Sequence, residues 1–506
     1  MSATLVTPWD RHNQQLVANV HPGDWVNPQP ASKYDLVVIG AGTAGLVTAA
    51  GAAGLGAKVA LVERHLMGGD CLNVGCVPSK ALLRSARAAA DARGASRFGV
   101  QIPPDAVRID FGQVMERLRA VRAGISEHDS AQRFRALGID VFLGEARFLG
   151  SYSASVGDQT LRFKRAVIAT GGRPATPKVE GLAEAGFLTN ESVFSLTELP
   201  ARLAVIGGGP IGCELAQAFV RLGSRVTLLH KHSHLLDREE VDAAELLRRQ
   251  FAREGIEMVF NAQLLRVSRS ERGKRLEFKS GVGAGEVTVD WILVAAGRTP
   301  NVEGLNLEAV GVSYDSRHGV QVNDLLQTTN RHIYAAGDVC LKWKFTHAAD
   351  AAARIVIQNA LFLGRKRVST LTMPWCTYTD PEVAHVGLSL DDAQQRGAAI
   401  ETYTQPMGKV DRAATDGEEE GFVKIHAERG SKRIVGATIV SRHAGEMIGE
   451  ISVAMAAGLK LTALSNVIHP YPTQAEAIRK CADACNRARL TPGVKRLLEG
   501  WLRWTR

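Results

Sequence analysis

The sequence predicts an α/β protein with two dinucleotide-binding units, followed by a third unit of α+β type. Two observations carry this prediction. A glycine fingerprint between a short apolar strand and a helix occurs twice, at Gly40 and at Gly207, and no such fingerprint appears after Thr370. A chain of 506 residues is also too long for one hydrophobic core, so several domains are expected.

Composition narrows the class of protein. Hydrophobic content of 45% and charged content of 22% are ordinary for a globular chain. The net charge of +9 indicates either a basic surface or attraction for an anionic ligand. Nucleic acid is not expected as a partner, since the charge is spread along the chain and no recognition module is visible. The seven cysteines, an odd number, and the lack of a signal pattern in the first ten residues favour the reducing cytoplasm.

The first fingerprint follows an apolar run of β-branched character over 34–39, which predicts a buried parallel strand. Gly40 is expected to make the tight turn, Gly42 to admit a pyrophosphate and Gly45 to let the helix pack on the sheet. The helix N-terminus would meet the phosphate charge. The next strand ends in Glu63, which is expected to accept hydrogen bonds from a ribose.

The second fingerprint repeats this plan with one change at its end. Its three glycines, Gly207, Gly209 and Gly212, lie between two predicted strands over 202–206 and 225–229. The separation that leads from Gly40 to Glu63 leads here from Gly207 to His230, which is followed by Lys231 and His232. An acid would repel a 2′-phosphate, whereas His and Lys can pair with one. This site is therefore predicted to prefer NADPH over NADH; the alternative is a solvated basic loop end.

Two cysteines, Cys71 and Cys76, lie shortly after the first βαβ unit, in the segment 68–80. The spacer between them is long enough for one helical turn, which can bring the sulfurs together. Lys80 follows on the same segment and is placed to reach the cofactor. A thiol pair beside a flavin site indicates that electrons pass from one to the other.

The remaining motifs are short apolar strands that end in glycine, over 165–174, 291–301 and 332–338. They are typical of strands that leave one nucleotide-binding domain for another. The predicted organisation is an N-terminal arm (1–33), a first nucleotide-binding domain (34–190), a second nucleotide-binding domain (191–300), a return to the first domain (301–368), a third folding unit (369–490) and a basic amphipathic tail (491–506).

Together these pieces resemble the FAD-dependent pyridine nucleotide–disulfide oxidoreductases, from about residue 34 to 490. The shared motifs are the Cys-x4-Cys segment, two ordered glycine fingerprints, the Ala-Thr-Gly and Ala-Ala-Gly-Arg strands and an Ala-Gly-Asp. The resemblance implies two Rossmann-like FAD and NAD(P) domains plus a C-terminal α+β dimerisation domain. It also implies a homodimer in which each active site is completed by the partner chain.

The resemblance further implies roles for individual residues. Cys76 would be the flavin-proximal thiolate with a charge-transfer contact, Cys71 would exchange with substrate, and Lys80 would pair with Glu214. The implied FAD-binding residues are Gly40, Gly42, Gly45, Glu63, Gly69, Lys80, Ala146, Thr170, Gly171, Gly337 and Asp338. The implied NADPH-binding residues are Gly207, Gly209, Gly212, Glu214, His230, Lys231 and Gly297.

The segment 469–476 departs from the pattern of the thiol-reducing members, which carry His-Pro-Thr-x-x-Glu with the histidine as acid–base group. Aligning Pro-Thr and Glu476 puts Tyr471 at the histidine position, and His469 falls two residues earlier. Mercuric reductases likewise place a tyrosine there. The chain is therefore most similar to that branch, and Cys71 and Cys76 are expected to bind Hg(II) transiently as soft sulfur ligands before its reduction.

Several alternatives stay open. The sequence shows neither the C-terminal vicinal cysteines nor the N-terminal Cys-x-x-Cys domain that mercuric reductases carry. Cys481 and Cys485 could be a substitute metal relay, or they could be small residues packed on a helix face. The tail fits a helix packed on the dimer, which is favoured, or an interfacial membrane helix. The substrate could instead be a small disulfide or a quinone. The non-enzymatic alternative is a flavin-bound redox sensor.

Overall fold

A computed structural model of the chain describes residues 6–506 and confirms the α/β class with two Rossmann-like domains and a dimerisation domain. The strands are β1 (Tyr34–Ile39), β2 (Val59–Glu63), β3 (Asp140–Leu143), β4 (Ala146–Gly150), β5 (Ser153–Val156), β6 (Gln159–Ile168), β7 (Gly172–Pro174), β8 (Arg202–Ile206), β9 (Arg225–Leu229), β10 (Glu257–Val259), β11 (Gln263–Ser270), β12 (Gly273–Ser280), β13 (Gly283–Val289), β14 (Trp291–Val294), β15 (Arg298–Pro300), β16 (Tyr314–Asp315), β17 (Gly319–Val320), β18 (Ile333–Ala335), β19 (Pro374–Thr377), β20 (Glu382–Gly387), β21 (Ile400–Pro406), β22 (Phe422–Glu428) and β23 (Ile434–Ser441). The helices are α1 (Arg11–Val20), α2 (Thr43–Gly54), α3 (Gly69–Asn73), α4 (Cys76–Arg93), α5 (Phe111–Ile125), α6 (Ala131–Ala136), α7 (Leu182–Ala185), α8 (Pro210–Leu222), α9 (Val241–Arg253), α10 (Thr346–Leu361), α11 (Leu390–Gln395), α12 (Asp411–Thr415), α13 (Ala444–Ala456), α14 (Glu476–Ala488) and α15 (Pro492–Trp504).

The first fingerprint lies in a seven-stranded sheet of order β3-β2-β1-β6-β5-β4, with β18 paired to β6. Strand β1 is parallel to β2 and β6, so Val38 faces Leu61 on one side and Val167 on the other. Its central residues are fully buried, and Val37 and Ile39 belong to a core that also contains Leu305, Val310 and Val312. The carboxyl ends of β1, β6 and β18 therefore meet at one edge of the sheet.

The second fingerprint lies in a four-stranded parallel sheet of order β10-β9-β8-β14. This order repeats that of β3-β2-β1-β6 in the first sheet, as expected for two copies of one nucleotide-binding fold. A three-stranded antiparallel sheet, β11-β12-β13, follows in the chain before β14.

The chain divides into two compact units. The first comprises the chain up to Gly207 with Ala218–Leu229 and Glu257–Thr370, and the second comprises Gly208–Gln217, His230–Ile256 and Leu371–Arg506. This division is coarser than the six predicted segments, whose bounds stay a prediction. In the second unit, helices α13 and α14 contribute buried residues to the core of the five-stranded antiparallel sheet β19-β20-β23-β22-β21.

The segment before β1, predicted as an arm, contains a folded helix. Helix α1 is capped by Asp10, whose side chain accepts from the Asn13 amide, and it buries Asn13, Leu16 and Val20. Arg119 Nε on α5 donates to Asp10 Oδ2 at 2.5 Å, so the ion pair fixes the start of α1. Residues 1–5 of the predicted arm lie outside the described residues.

Candidate active site

The turn of the first fingerprint has room for glycine only. Gly40 has φ +102°, and a Cβ there would lie 2.4 Å from the carbonyl oxygen of Ala169. A Cβ on Gly45 would lie 1.8 Å from the Gly40 oxygen, so the helix packs tightly on the turn. Helix α2 has Gly42 as N-cap with no side-chain cap hydrogen bond, which leaves its first N–H groups available for an anion.

The cysteine segment is fastened to this same turn. The Gly68 amide donates to the Ala41 carbonyl at 2.8 Å. Gly69 has φ +56°, and a Cβ on it would lie 2.6 Å from the Gly42 Cα. Because the two backbones touch, the start of the redox segment and the anion-binding turn hold a fixed distance from each other.

The two cysteines lie on different helices, with a break at Val74 and Gly75 between them. Cys71 lies on the short helix α3, whereas Cys76 is the first residue of the 18-residue helix α4, and both are free thiols. Cys76 Sγ lies 3.3 Å from Oγ1 of Thr346, the first residue of α10. Two helix N-termini therefore meet at the Cys76 sulfur, and such ends favour a thiolate.

The surroundings of Cys71 differ from those of Cys76. The hydrogen bond between the Cys71 and Cys76 side chains, together with burial, raises the pKa of Cys71 above its usual range. Cys76 instead lies at the N-terminus of α4 and contacts the first residue of α10. The sequence did not indicate Thr346, since nothing near it in the chain marks it as part of this site.

Arg298 links the redox segment to the Gly-Asp motif, and sequence reasoning assigned it no role. Its guanidinium donates to the Asp70 carboxylate beside Cys71, to Asp338 Oδ2 at 3.0 Å and to the Gly172 carbonyl at 2.8 Å. Both carboxylates raise the pKa of Arg298 despite its burial, so it stays charged. Burial raises the pKa of Asp338, and the Arg298 charge opposes that shift.

The predicted ribose acceptor, Glu63, lies half-buried at the end of β2. Its Oε2 accepts from the Ala41 amide at 2.7 Å and its Oε1 from the His65 amide at 2.8 Å. Burial raises the pKa of Glu63, and these two amides oppose the shift. Each carboxylate oxygen has a further lone pair, so Glu63 can still accept from a hydroxyl group.

The other predicted FAD residues gather along the ends of neighbouring strands. Ala146 opens β4, and the Gly144 amide just before it donates to the Glu63 carbonyl at 2.8 Å. Thr170 Oγ1 donates to the Asn301 carbonyl at 2.6 Å, and Gly171 beyond it has φ +68°.

The Gly-Asp motif meets the helix of the first fingerprint. Gly337 has φ +82°, and a Cβ on it would lie 3.1 Å from the Ala44 Cβ at the start of α2. The glycine cradle, the uncapped helix α2 and the half-buried acceptor Glu63 therefore fit FAD. These residues would hold its pyrophosphate and one ribose.

The second fingerprint repeats the first closely. Gly207 has φ +115°, and its Cβ would lie 2.4 Å from the Ala295 oxygen, as for Gly40 and Ala169. Gly297, at φ +117°, lies before β15 in the same unit. Gly209 has open space around it, whereas Gly212 is buried in α8.

His230 lies at the position that Glu63 has in the first fingerprint, but it is not the phosphate-binding cation that the sequence predicted. The Gly208 amide donates to His230 Nδ1 at 2.9 Å, just as the Ala41 amide donates to Glu63. Burial lowers the pKa of His230, so the ring is neutral and its proton is on Nε2, a buried atom with no hydrogen-bond partner among the described residues. His230 is therefore a neutral donor, whereas Lys231 beside it is exposed.

An acid that sequence reasoning missed also lies here. Asp237 places its carboxylate 4.0 Å from His230 Nε2 and 3.7 Å from His232 Nε2. The two histidines at this loop end thus face one carboxylate that comes from further along the loop.

Lys80 and Glu214 fall in different compact units, and their pairing stays a prediction. Lys80 is half-buried on α4. Glu214 is buried on α8, where its Oε1 accepts from the Tyr378 amide at 2.9 Å.

The C-terminal segment holds both a tyrosine and a histidine–carboxylate pair. Tyr471 is 72% exposed and donates to Asp411 Oδ2 at 2.9 Å, which raises its pKa. Glu476 binds Arg479 at 2.6 Å, so its carboxylate has a cation as partner. His469 Nε2 lies 3.1 Å from the Glu450 carboxylate, a partner that the sequence did not indicate.

Cys481 and Cys485 lie on α14, close to the predicted helix, with both side chains buried in the core of the second unit. Burial raises the pKa of Cys481 to about 12, which disfavours the thiolate that a metal relay requires. The packing alternative therefore describes these two cysteines. Across residues 6–506 no cluster of three or more His, Cys, Asp or Glu side chains is arranged to hold a metal ion.

Known proteins match nearly the whole chain. The pyridine nucleotide-disulphide oxidoreductase family matches residues 34–353, and its dimerisation domain matches residues 373–482. A mercuric reductase of Staphylococcus aureus is 34% identical over 449 residues, which cover 89% of this chain and 82% of that protein. A dihydrolipoyl dehydrogenase of Thermus scotoductus is 34% identical over 467 residues, covering 90% and 98%.

Solved structures of flavoprotein reductases are also similar to this chain. The HOCl-induced flavoprotein disulfide reductase RclA from Escherichia coli is 29% identical with a TM-score of 0.79, covering 88% of this chain and 99% of that one. LpdA from Mycobacterium tuberculosis is 26% identical with a TM-score of 0.81, covering 90% and 100%. The chain therefore belongs to the pyridine nucleotide-disulphide oxidoreductases and is an FAD- and NAD(P)-dependent disulfide oxidoreductase.

Proposed function

We propose that this protein is an NADPH-dependent flavoprotein reductase whose Cys71–Cys76 pair passes electrons to Hg(II) or another thiol-reactive acceptor. The observation that carries the proposal is the unequal thiol pair, with Cys76 at the N-terminus of α4 and Cys71 holding the proton. Bound FAD supplies the two-electron carrier between NADPH and this pair. The mercuric reductases among the relatives support the acceptor class.

The roles of the two sulfurs follow from their surroundings. Cys76, between two helix N-termini, is the resident thiolate, and Thr346 contacts its sulfur at 3.3 Å. Cys71 keeps its proton until an acceptor approaches, and then binds it through sulfur. Two adjacent thiolates form a soft donor pair, which suits a soft metal ion such as Hg(II).

Tyr471 supports an electrophilic acceptor over a disulfide. An exposed phenol, with its pKa raised by the hydrogen bond to Asp411, is a poor base for a thiol. In the homodimer that the dimerisation domain indicates, this segment would complete the active site of the partner chain. The phenol oxygen would then lie near the acceptor as a neutral ligand.

A second candidate is a reductase of small disulfides. His469 and Glu450, at 3.1 Å, form the kind of histidine–carboxylate pair that a thiol exchange needs as its acid–base group. A dihydrolipoyl dehydrogenase and a flavoprotein disulfide reductase are among the proteins similar to this chain.

For the coenzyme, we infer a preference for NADPH from Lys231 and His232, with His230 as a neutral hydrogen-bond donor. Asp237 opposes this preference, so a moderate ratio is expected. Lys80 and Glu214 would form an ion pair beside the flavin. The reducing cytoplasm is the expected location, since an odd number of cysteines favours a reducing compartment.

The proposal is tested by following NADPH oxidation by the purified holoenzyme with Hg(II), lipoamide, glutathione disulfide and a quinone in parallel. Turnover with Hg(II) in excess thiol is the expected result. Turnover with lipoamide or glutathione disulfide, lost in His469→Ala and without Hg(II)-dependent oxidation, would instead favour the second candidate.

A further inference from the structure

The last helix of the chain, α15, presents its whole surface to solvent. Thr491 caps it by accepting from the Val494 amide, and Pro492 stands in its first turn. None of its 13 residues is buried, whereas the preceding helix α14 buries Ile478, Cys481 and Cys485. It also lies beyond residues 373–482, which match the dimerisation domain.

The apolar side chains of α15 form one continuous face. At about 100° per residue, they occupy an arc of roughly 160°. The members are Val494, Leu497, Leu498, Trp501, Leu502 and Trp504. Leu497 is 74% exposed and Trp501 is 60% exposed, with the ring of Trp504 5.4 Å from that of Trp501.

The opposite face is basic. On α15, Lys495, Arg496 and Arg503 carry three positive charges against the one carboxylate of Glu499, and Arg506 follows the helix, so residues 492–506 have a side-chain charge of +3. On the helical wheel the four charged residues of α15 fall outside the apolar arc. Long basic side chains at the border can bury their methylene stems while keeping their charges in water.

We propose that α15 lies in the surface of an anionic lipid bilayer, with its apolar face among the acyl chains and its cations on the head groups. A large separation of apolar and basic faces with tryptophan on the apolar one is typical of interfacial helices. At 13 residues the helix is about 20 Å long, too short to cross a bilayer. The charge of +3 selects an anionic surface over a neutral one.

This proposal differs from the prediction made from the sequence, which favoured packing of the C-terminal helix on the dimer. A helix packed on another protein surface would bury its apolar face in an interface with few charges at its centre. Here the apolar face spans roughly half of the helix circumference, with cations along the remainder, which suits a flat surface of anionic head groups. The proposal does not depend on the electron acceptor.

The test is sedimentation of the FAD-loaded full chain with vesicles of phosphatidylcholine alone or mixed with phosphatidylglycerol. The holoenzyme is expected to pellet with the anionic vesicles, to shift its tryptophan emission to the blue and to dissociate at high salt. Leu498→Glu and Trp501→Glu should each lower the bound fraction about ten-fold. The matched control is Val282→Glu, at a turn residue that is 99% exposed and should leave binding unchanged.

Two results would overturn the proposal. One is equal recovery of wild type, L498E and W501E with anionic vesicles. The other is loss of the homodimer in L498E or W501E by light scattering, which would assign the face to an interface between copies. NADPH oxidation by both variants should equal that of wild type, which shows that they are folded.

Discussion

Arg298 organises the redox segment at the scale of single residues. It binds the carboxylate next to Cys71 and the carboxylate of the Gly-Asp motif at the same time. The sequence placed Arg298 at the end of a predicted strand, directly after Gly297. Its partners, however, are distant in the chain, and a single sequence does not show which distant charges will meet.

His230 shows the limit of reading charge from residue type. A histidine that follows a strand was predicted to pair with a phosphate as a cation. In the structure the His230 ring accepts from the Gly208 amide, as Glu63 accepts from the Ala41 amide in the first fingerprint. Burial lowers the pKa of His230, so the ring stays neutral. The side chains that could attract a 2′-phosphate are therefore Lys231 and His232. The negative charge of Asp237 opposes that attraction.

The coenzyme preference is predicted to depend on Asp237. Asp237→Asn removes a negative charge that lies 3.7 Å from His232 Nε2, so the ratio of kcat/KM for NADPH to that for NADH should rise roughly five-fold. Lys231→Ala should move the ratio in the opposite direction. Steady-state kinetics with both coenzymes measure the change, and an unchanged ratio in both variants would contradict the placement of the phosphate here.

A second prediction concerns Glu239, whose pKa burial raises to about 7 from 4.5. Between these values the unfolded chain loses this proton and the folded chain keeps it, so stability falls as pH rises. The loss amounts to about 3 kcal/mol in total. Glu239→Gln should remove this pH dependence. Urea unfolding at about pH 5 and about pH 8 measures it, and the difference between the two midpoints should be smaller in the variant than in wild type. An unchanged difference would show that Glu239 is ionised in the fold.

At the scale of elements, the fingerprint strands could be predicted well. The predicted strands 34–39, 202–206 and 225–229 coincide with β1, β8 and β9, because buried parallel strands are short continuous apolar runs bounded by glycine. The break between α3 and α4 could not be predicted. It depends on Gly75, where a Cβ would lie 2.7 Å from the Asp70 oxygen.

Helix α1 was missed because it hardly resembles an apolar element. One of its three buried residues is Asn13, which is fully buried and accepts from Arg122 Nη2 at 2.6 Å. Arg122 Nη1 in turn donates to the carbonyl of Asn73 at 2.6 Å, at the end of the helix that carries Cys71. A chain of polar contacts thus connects α1 to the redox segment.

We predict that Asn13→Ala weakens this connection. The buried charge of Arg122 loses an acceptor, so the free energy of unfolding should fall by about 2 kcal/mol. The end of α3 should also loosen, so iodoacetamide should alkylate the NADPH-reduced enzyme faster at Cys71.

Asn19→Ala is the matched control for that variant. Asn19 lies on the same helix and donates to Ser126 Oγ at 2.9 Å, a hydrogen bond that involves neither Arg122 nor Asn73. It should cost about 1 kcal/mol of stability and leave the alkylation rate unchanged. Equal alkylation rates in both variants would contradict a coupling between α1 and Cys71.

At the scale of the whole molecule, the repeat of the glycine fingerprint determined the architecture. Both nucleotide-binding sheets contain the same strand order, β3-β2-β1-β6 and β10-β9-β8-β14, and the antiparallel C-terminal sheet follows where the glycine pattern ends. No helix in the described part of the chain is long and apolar enough to cross a membrane. The C-terminal segment was predicted only in part, since the partner of His469 lies on another helix, α13.

The acceptor was the hardest feature to predict, because under the proposed function it depends on side chains that the partner chain would bring to the thiol pair. Tyr471 and His469 are two residues apart and point to different chemistry, a phenol near a metal ion and a base near a thiol. The thiol pair itself has no such ambiguity. Its motif, helix positions and hydrogen bonds all indicate redox activity.

The most direct test of the account is an anaerobic titration of the oxidised holoenzyme with NADPH, followed by absorbance. The wild type should take up one more equivalent of NADPH per chain than Cys71→Ala or Cys76→Ala, because the disulfide accepts a further electron pair. A long-wavelength charge-transfer band should appear in wild type and Cys71→Ala and be absent in Cys76→Ala. Equal NADPH uptake by all three proteins would contradict a redox-active Cys71–Cys76 pair.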